Sequence, residues 1–300
     1  MNKIIIHEVG PRDGLQVEKQ IVPFDLKVKW IEKLIDSGID IIQVGSFVHP
    51  EKVPQMADTD RLFAYFMHPE KKTNSVTLSG LVLNEKGLER GMACGVELFC
   101  MGASASDTYS RKNTGMSSAE ATERIIAIAK RTMEANKKVQ VSVQSAFGCS
   151  YEGAVPEERV LDMVKRYLDA GIRNISLADT AGYAFPQRVE RLFSKAMSLD
   201  PQAEFACHFH ETYGLGLANC YTAMQAGVKY FESSFGGLGG SPFAAVTSGN
   251  VCTEDLVHLL QRMGLRTEIK LSRIIEVTKE ASQFFSRQLP GFVWRQGVAP

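Results

Sequence analysis

Eight short β-branched runs alternate with amphipathic helical stretches from one end of this chain to the other, and few architectures accommodate that order. The strand-like runs are KIIIHEVG (3–10), IDIIQVG (39–45), SVTLSGLVL (75–83), VELFCM (96–101), VQVSVQSA (139–146), RNISLAD (173–179), AEFACHFH (203–210) and KYFESSFG (229–236). Between them, helical spacing of apolar residues predicts helices at 25–37, where Val28, Ile31, Leu34 and Ile35 share a face, and at 58–67, 85–93, 118–135, 156–170, 186–198, 213–226 and 252–263. Pro156 suits a first helical turn, and 272–287 adds a helix after the eighth strand unit. Eight strands, each followed by a helix, imply a parallel (β/α)8 TIM barrel with an extra C-terminal helical region. A doubly wound open sheet competes, but no G-x-G-x-x-G follows the first strand. With no linker or low-complexity tract, one domain is expected across 1–300, the barrel over about 3–265 and the extension over about 266–300.

Composition narrows the partners. Lys plus Arg number 34 and Asp plus Glu number 34, so no net field draws the chain to nucleic acid or an anionic membrane, and a small molecule is expected instead. The six cysteines form no C-x-x-C pair and read as free thiols in a reducing compartment. No apolar run approaches the roughly 18 residues that span a bilayer, and Met1 leads straight into strand-like sequence, which together point to a cytoplasmic protein. Whether it forms a homo-oligomer is left open.

In such barrels chemistry sits where strands end and βα loops begin. The seventh strand ends in CHFHETYG, and a strand period of two sends His208 and His210 to the same face. Either both are satisfied core histidines or they hold something. Asp13 after the first strand and Asn250 after the eighth would bring oxygen donors to the same mouth. Two imidazoles, a carboxylate and an amide carbonyl suit Mg²⁺ or Mn²⁺ and admit Co²⁺ or Zn²⁺, with about two octahedral positions left for substrate. Asp179, ending the sixth strand in LADTAG, is placed to orient the metal shell or the substrate. The glycine-rich segment 236–250 lacks the lysine of a nucleotide loop and reads as a lid over the mouth, or else as a plain surface loop.

VGPRDGLQVEK (9–19), GSFVHPEKVPQMAD (45–58), HFHETYG (208–214), GLGGSPFA (237–244) and SGNVCTEDLV (248–257) resemble, in order, the signature segments of the 3-hydroxy-3-methylglutaryl-CoA lyase family, within a wider group of metal-dependent barrels that make or break carbon–carbon bonds. The resemblance implies that Asp13, His208, His210 and Asn250 are metal ligands. It also implies that Arg12 polarises a thioester carbonyl and stabilises the enolate. On chemical grounds, His208 or Asp13, beside such a metal, is placed to take the substrate hydroxyl proton. Lys19, Ser46 and the βα-loop residues Arg111, Lys112 and Asn113 correspond to the CoA side.

Two positions depart from the family pattern. Gln43 stands where the family has glutamate, and Ser241 where it has a cysteine regarded as the acid that protonates the enolate. Gln43 can hydrogen-bond Arg12 but brings no charge, and a serine hydroxyl is a far weaker acid than a thiol. Cys149 and Cys252 are candidate thiol substitutes, each with a buried structural reading beside it. The activity implied is cleavage of 3-hydroxy-3-methylglutaryl-CoA or a related 3-hydroxyacyl-CoA to acetyl-CoA and a keto product. A condensing enzyme of the same group, or a catalytically impaired acyl-CoA-binding relative, is the alternative.

Overall fold

The computed structural model describes residues 4–240 and 249–298. The eight strands are β1 (Ile5–Glu8), β2 (Ile41–Ser46), β3 (Thr77–Leu81), β4 (Leu98–Ser104), β5 (Lys138–Gln144), β6 (Asn174–Ala178), β7 (Glu204–His208) and β8 (Tyr230–Ser233). They lie in sequence order and close on themselves, β8 pairing in parallel with β1 from Ile5↔Tyr230 to Glu8↔Ser233. The (β/α)8 barrel is the observed fold, and the open sheet is excluded.

Helices α1 (Phe24–Ser37), α2 (Thr59–Phe66), α3 (Glu85–Ala93), α4 (Asp107–Thr114), α5 (Ser118–Glu134), α6 (Glu157–Asp169), α7 (Pro186–Leu199), α8 (Gly216–Gln225) and α9 (Thr253–Arg262) fill the connections, with α10 (Leu271–Phe284) and α11 (Val293–Gln296) beyond. None of the described helices is long and apolar enough to cross a membrane. Their ends follow local chemistry. Ser117 and Glu120 close a reciprocal capping box on α5, Asn84 accepts from the Gly87 N–H at the start of α3, and Gly38, at φ +84°, ends α1 in the left-handed region.

Two details differ from the sequence reading. Pro156 precedes α6 by one residue instead of lying in its first turn. Helix α4 falls where a loop was expected, so Arg111, Lys112 and Asn113 sit on a helix. Only Ser110 of its eight residues is buried, which leaves no apolar stripe for periodicity to reveal.

Alternation along each strand sorts the side chains. Ile6, Ile42, Val44, Phe99, Val141, Val143, Ile175, Leu177, Phe205 and Phe231 point outward into the main core beneath the helices. Inside, a smaller cluster of Ile41, Leu98 and Cys100, flanked by Ile5, Leu81 and Tyr230, plugs the barrel. Above it the interior is polar, with Gln43, Gln140, Ser142, Gln144, His208 and Glu232 facing an open cavity. Barrel interiors are ordinarily filled by branched aliphatic side chains, so a polar interior marks where the fold gives up packing for chemistry.

The C-terminal extension packs on α1 through α10. The Trp30 indole is buried, meets Phe284 edge-on with centroids 6.1 Å apart, and donates from Nε1 to Glu280 across 3.1 Å. Lys33 reaches both Glu276 and Glu280 from the same helix face.

Candidate active site and metal centre

The chain leaves β1 through a single wide turn, Gly10–Gly14, in which the Asp13 N–H returns to the Val9 carbonyl across 2.7 Å. That turn lifts Arg12 and Asp13 to the barrel mouth. Gly10 is required there, because a Cβ would stand 2.4 Å from the Phe235 ring. Arg12 donates from Nε to the Gln43 carbonyl oxygen and from a terminal nitrogen to Asp13 Oδ1, so its guanidinium is held in one plane between β1 and β2.

His208 is the last residue of β7, and His210 follows it in an isolated bridge with Asn250. The Nε2 atoms of His208 and His210 lie 3.1 Å apart, and one donor atom each from Asp13, His208 and His210 falls within 4.8 Å of the others. Two ligands at adjacent octahedral positions, with bonds of about 2.1 Å, stand about 3 Å apart, so the imidazole spacing suits one shared cation. Asn250 donates from Nδ2 to Asp13 Oδ2 at 2.8 Å and to the Leu238 carbonyl at 3.0 Å. Its buried Oδ1 has no hydrogen-bond partner among the described residues, and neither does His210 Nδ1. A spare amide oxygen beside a carboxylate and two imidazoles fits a hard or borderline divalent ion.

The electrostatics agree with that donor set. Burial, and then the neighbouring His208, push the His210 imidazole down to about 3, so the ring is neutral and free to act as a lone-pair donor. Burial alone would raise the Asp13 carboxyl, but Arg12, His208, Asn250 and His210 outweigh it and hold it below the ordinary aspartate value. His208 is opposed by burial yet ends above the ordinary histidine value, because its Nδ1 lies 2.9 Å from Glu232 Oε2.

Arg12, Asp13, Gln43, His208 and His210 all line one cavity of about 860 Å³, a size that suits a sizeable organic ligand. Asn113 borders the same cavity. The other residues assigned to the CoA side from the sequence stand elsewhere. Arg111 is exposed and paired with Asp107 at 2.8 Å, Lys112 lies 3.9 Å over the Tyr151 ring, Lys19 is exposed, and Ser46 is buried at the end of β2 with its N–H on Thr59. Asp179 is not among the residues bordering that cavity. Its carboxylate accepts from the Tyr183 and Ala184 N–H groups at 2.8 and 3.0 Å, which fastens the β6–α7 loop, and burial pushes it up to about 6.

Ser241, and most of the segment read as a lid, lie outside the described residues. Cys149 and Cys252 are buried and border no part of the cavity, and burial pushes the Cys252 thiol well above its ordinary value. Neither fits the part of a thiol acid facing substrate.

Glu232 was not singled out from the sequence, nor were His49 and the cations Lys52 and Arg124 that border the cavity. The available signal for Glu232 was a glutamate at an inward position of the run KYFESSFG. His7 is a second buried polar residue of the interior. Its Nε2 lies 2.8 Å from Ser79 Oγ, and burial drives it down to about 4, so it stays neutral.

Comparison with known proteins places this geometry. A family model described as HMGL-like matches residues 3–280. The chain is 37% identical over 288 residues to hydroxymethylglutaryl-CoA lyase YngG of Bacillus subtilis, covering 96% of this chain and 95% of that one. It is 37% identical over 286 residues to the mitochondrial hydroxymethylglutaryl-CoA lyase of Homo sapiens, covering 95% and 87%. The structure superposes on the HMG-CoA lyase of B. subtilis with a TM-score of 0.93 at 35% identity, covering 98% of both chains. It also superposes on an HMG-CoA lyase from Acinetobacter baumannii in complex with coenzyme A and 3-methylmalate, with a TM-score of 0.91 at 35% identity over 98% and 95%.

Proposed function

The chain belongs to the HMGL-like family and is a carbon–carbon lyase of that kind, and on this premise we propose that it cleaves 3-hydroxy-3-methylglutaryl-CoA or a related 3-hydroxyacyl-CoA into acetyl-CoA and a keto product. The observation that carries the reading is the convergence of Asp13, His208 and His210 on one point at the floor of the cavity that Arg12 also faces.

Cleavage needs a proton removed from the C3 hydroxyl, rupture of the C2–C3 bond and a sink for its electron pair. Asp13, His208, His210 and Asn250 would hold a divalent ion, with Mg²⁺ or Mn²⁺ the best match to the donors, whose Lewis acidity would lower the pKa of that hydroxyl. Asp13 accepts the proton, since its carboxylate keeps lone pairs to spare, whereas His208, with its hydrogen on Nδ1 toward Glu232 and Nε2 toward the ion, has none. As the bond breaks, the pair flows into the thioester and negative charge gathers on its oxygen. Arg12 meets that charge with paired donors that are already oriented by Gln43 and Asp13, so little reorganisation is required as the charge develops. The carbonyl left at C3 departs with the keto product, and protonation of the enolate carbon completes acetyl-CoA. The CoA arm enters past the cations and amides of the rim, Lys52, Arg124 and Asn113 among them. Six free thiols suit a reducing, cytoplasmic setting for this chemistry.

The test is to incubate the purified protein and Mg²⁺ or Mn²⁺ with a panel of 3-hydroxyacyl-CoA thioesters and to follow acetyl-CoA by mass spectrometry. Metal-dependent release of acetyl-CoA is expected. Absence of release from every thioester, with metal bound, would leave an acyl-CoA-binding role instead.

A further inference from the structure

His208 is braced from the side away from the cluster. Strands β7 and β8 pair with His208 directly opposite Glu232, and Glu232 Oε2 stands 2.9 Å from His208 Nδ1. The contact therefore spans two hydrogen-bonded strands of the barrel wall, where neither partner can drift. An ionised carboxylate only accepts, so Nδ1 must carry the hydrogen and Nε2 of the neutral ring is left as a lone pair. Nε2 is the atom that faces His210 within the cluster.

The charge balance of the floor makes the same residue stand out. Gln43 meets Arg12 as a neutral amide, and among the described residues bordering the cavity the carboxylates are Asp13 and Glu232. Asp13 is shared with Arg12, Gln16 and Asn250. Glu232 is thus the second negative charge within reach of the site.

We propose that Glu232 is a positioning residue of the metal centre: through Nδ1 it holds His208 in the tautomer and orientation that present Nε2 to a divalent cation, and it supplies negative charge to a floor where Gln43 supplies none. A carboxylate behind a ligating imidazole fixes the ring and raises the basicity of the ligating nitrogen. The proposal rests on the metal-dependent lyase reading above.

It is tested with Mn²⁺ alone, without substrate, by titrating the purified protein and following free Mn²⁺ by electron paramagnetic resonance. Compared with wild type, Glu232→Ala should raise the Mn²⁺ dissociation constant by about 10- to 100-fold. Glu232→Gln keeps an oxygen that can accept from Nδ1–H but loses the charge, and should fall between them. As a near-isosteric change it also covers the case in which the alanine variant does not fold. Turnover by Glu232→Gln should recover as Mn²⁺ is raised, because the defect lies in holding metal. Wild-type affinity within twofold in Glu232→Gln and in any alanine variant that folds, while His208→Ala binds no Mn²⁺, would overturn this proposal and leave the lyase reading standing. Turnover that stays lost in Glu232→Gln at saturating Mn²⁺ would overturn it too, since Glu232 would then act on the substrate. Failure of the wild type to bind Mn²⁺ would overturn both.

Discussion

Asn250 Nδ2 donates to Asp13 Oδ2 across 2.8 Å, although 237 positions separate the two residues along the chain. The contact ties the turn after β1 to the return of the chain after β8, the seam at which the barrel closes. It leaves Asn250 Oδ1, buried and unpartnered among the described residues, next to the carboxylate and imidazole donors. An unsatisfied buried carbonyl costs about 1–3 kcal/mol, which a bound cation would recover.

Metal dependence is the first expectation. His208→Ala should abolish both metal binding and turnover while leaving the far-ultraviolet circular dichroism and cooperative melting intact, because the side chain is a donor and not part of the outward core. Undiminished turnover after exhaustive chelation would show that the cluster does not serve the reaction.

Arg12 should act on the transition state more than on binding. Its guanidinium is held by Gln43 and Asp13 in a plane that a lysine cannot reproduce. Arg12→Lys should lower kcat by about 100-fold or more, with little change in acyl-CoA affinity. Steady-state kinetics decide it, and a loss confined to KM would mean that Arg12 only binds.

Gln43 and Ser241 should tune the substrate. Introducing Gln43→Glu with Ser241→Cys should raise the rate on 3-hydroxy-3-methylglutaryl-CoA by at least about tenfold, equivalent to 1.4 kcal/mol of barrier, without raising it on the preferred thioester. A wild type that already turns over 3-hydroxy-3-methylglutaryl-CoA at some tens per second would contradict a specialised substrate.

Stability should respond to two carboxyls behind the site. Burial pushes Glu8 up to about 7 and Glu254 up to about 8, from an ordinary 4.5, where they accept from the N–H groups of Gly10 and Phe235 and of Gly236 respectively. Between pH 4.5 and those values the folded state holds protons that the unfolded state has lost. Their contribution is therefore complete below pH 4.5 and is lost as pH rises through 7 and 8, at up to about 1.4 kcal/mol per pH unit for each group. In urea titrations the stability advantage of wild type over Glu254→Gln should shrink from pH 5 to pH 9. A constant difference would mean that Glu254 does not titrate in this window.

The barrel itself was legible in the chain. Strands repeat every two residues and helices every 3.6, and eight alternations of those periods leave little choice of fold. His208 and His210 were legible for the same reason, since a period of two sends both to one side. Short-range pattern failed at α4, whose polar eight residues carry no apolar stripe, and at Asp179, whose position at a strand end could not say whether its carboxylate turns to the mouth or to its own loop. Only the tertiary structure decided that it caps the Tyr183 and Ala184 N–H groups. Only the closed sheet, likewise, set Glu232 behind His208 and Asn250 against Asp13. The physical reason is that periodicity records which face a residue takes within its own element, whereas these contacts depend on the register between strands and on closure of β8 against β1. That register is fixed by packing and hydrogen bonds between segments far apart along the chain, and no local window of sequence contains both partners.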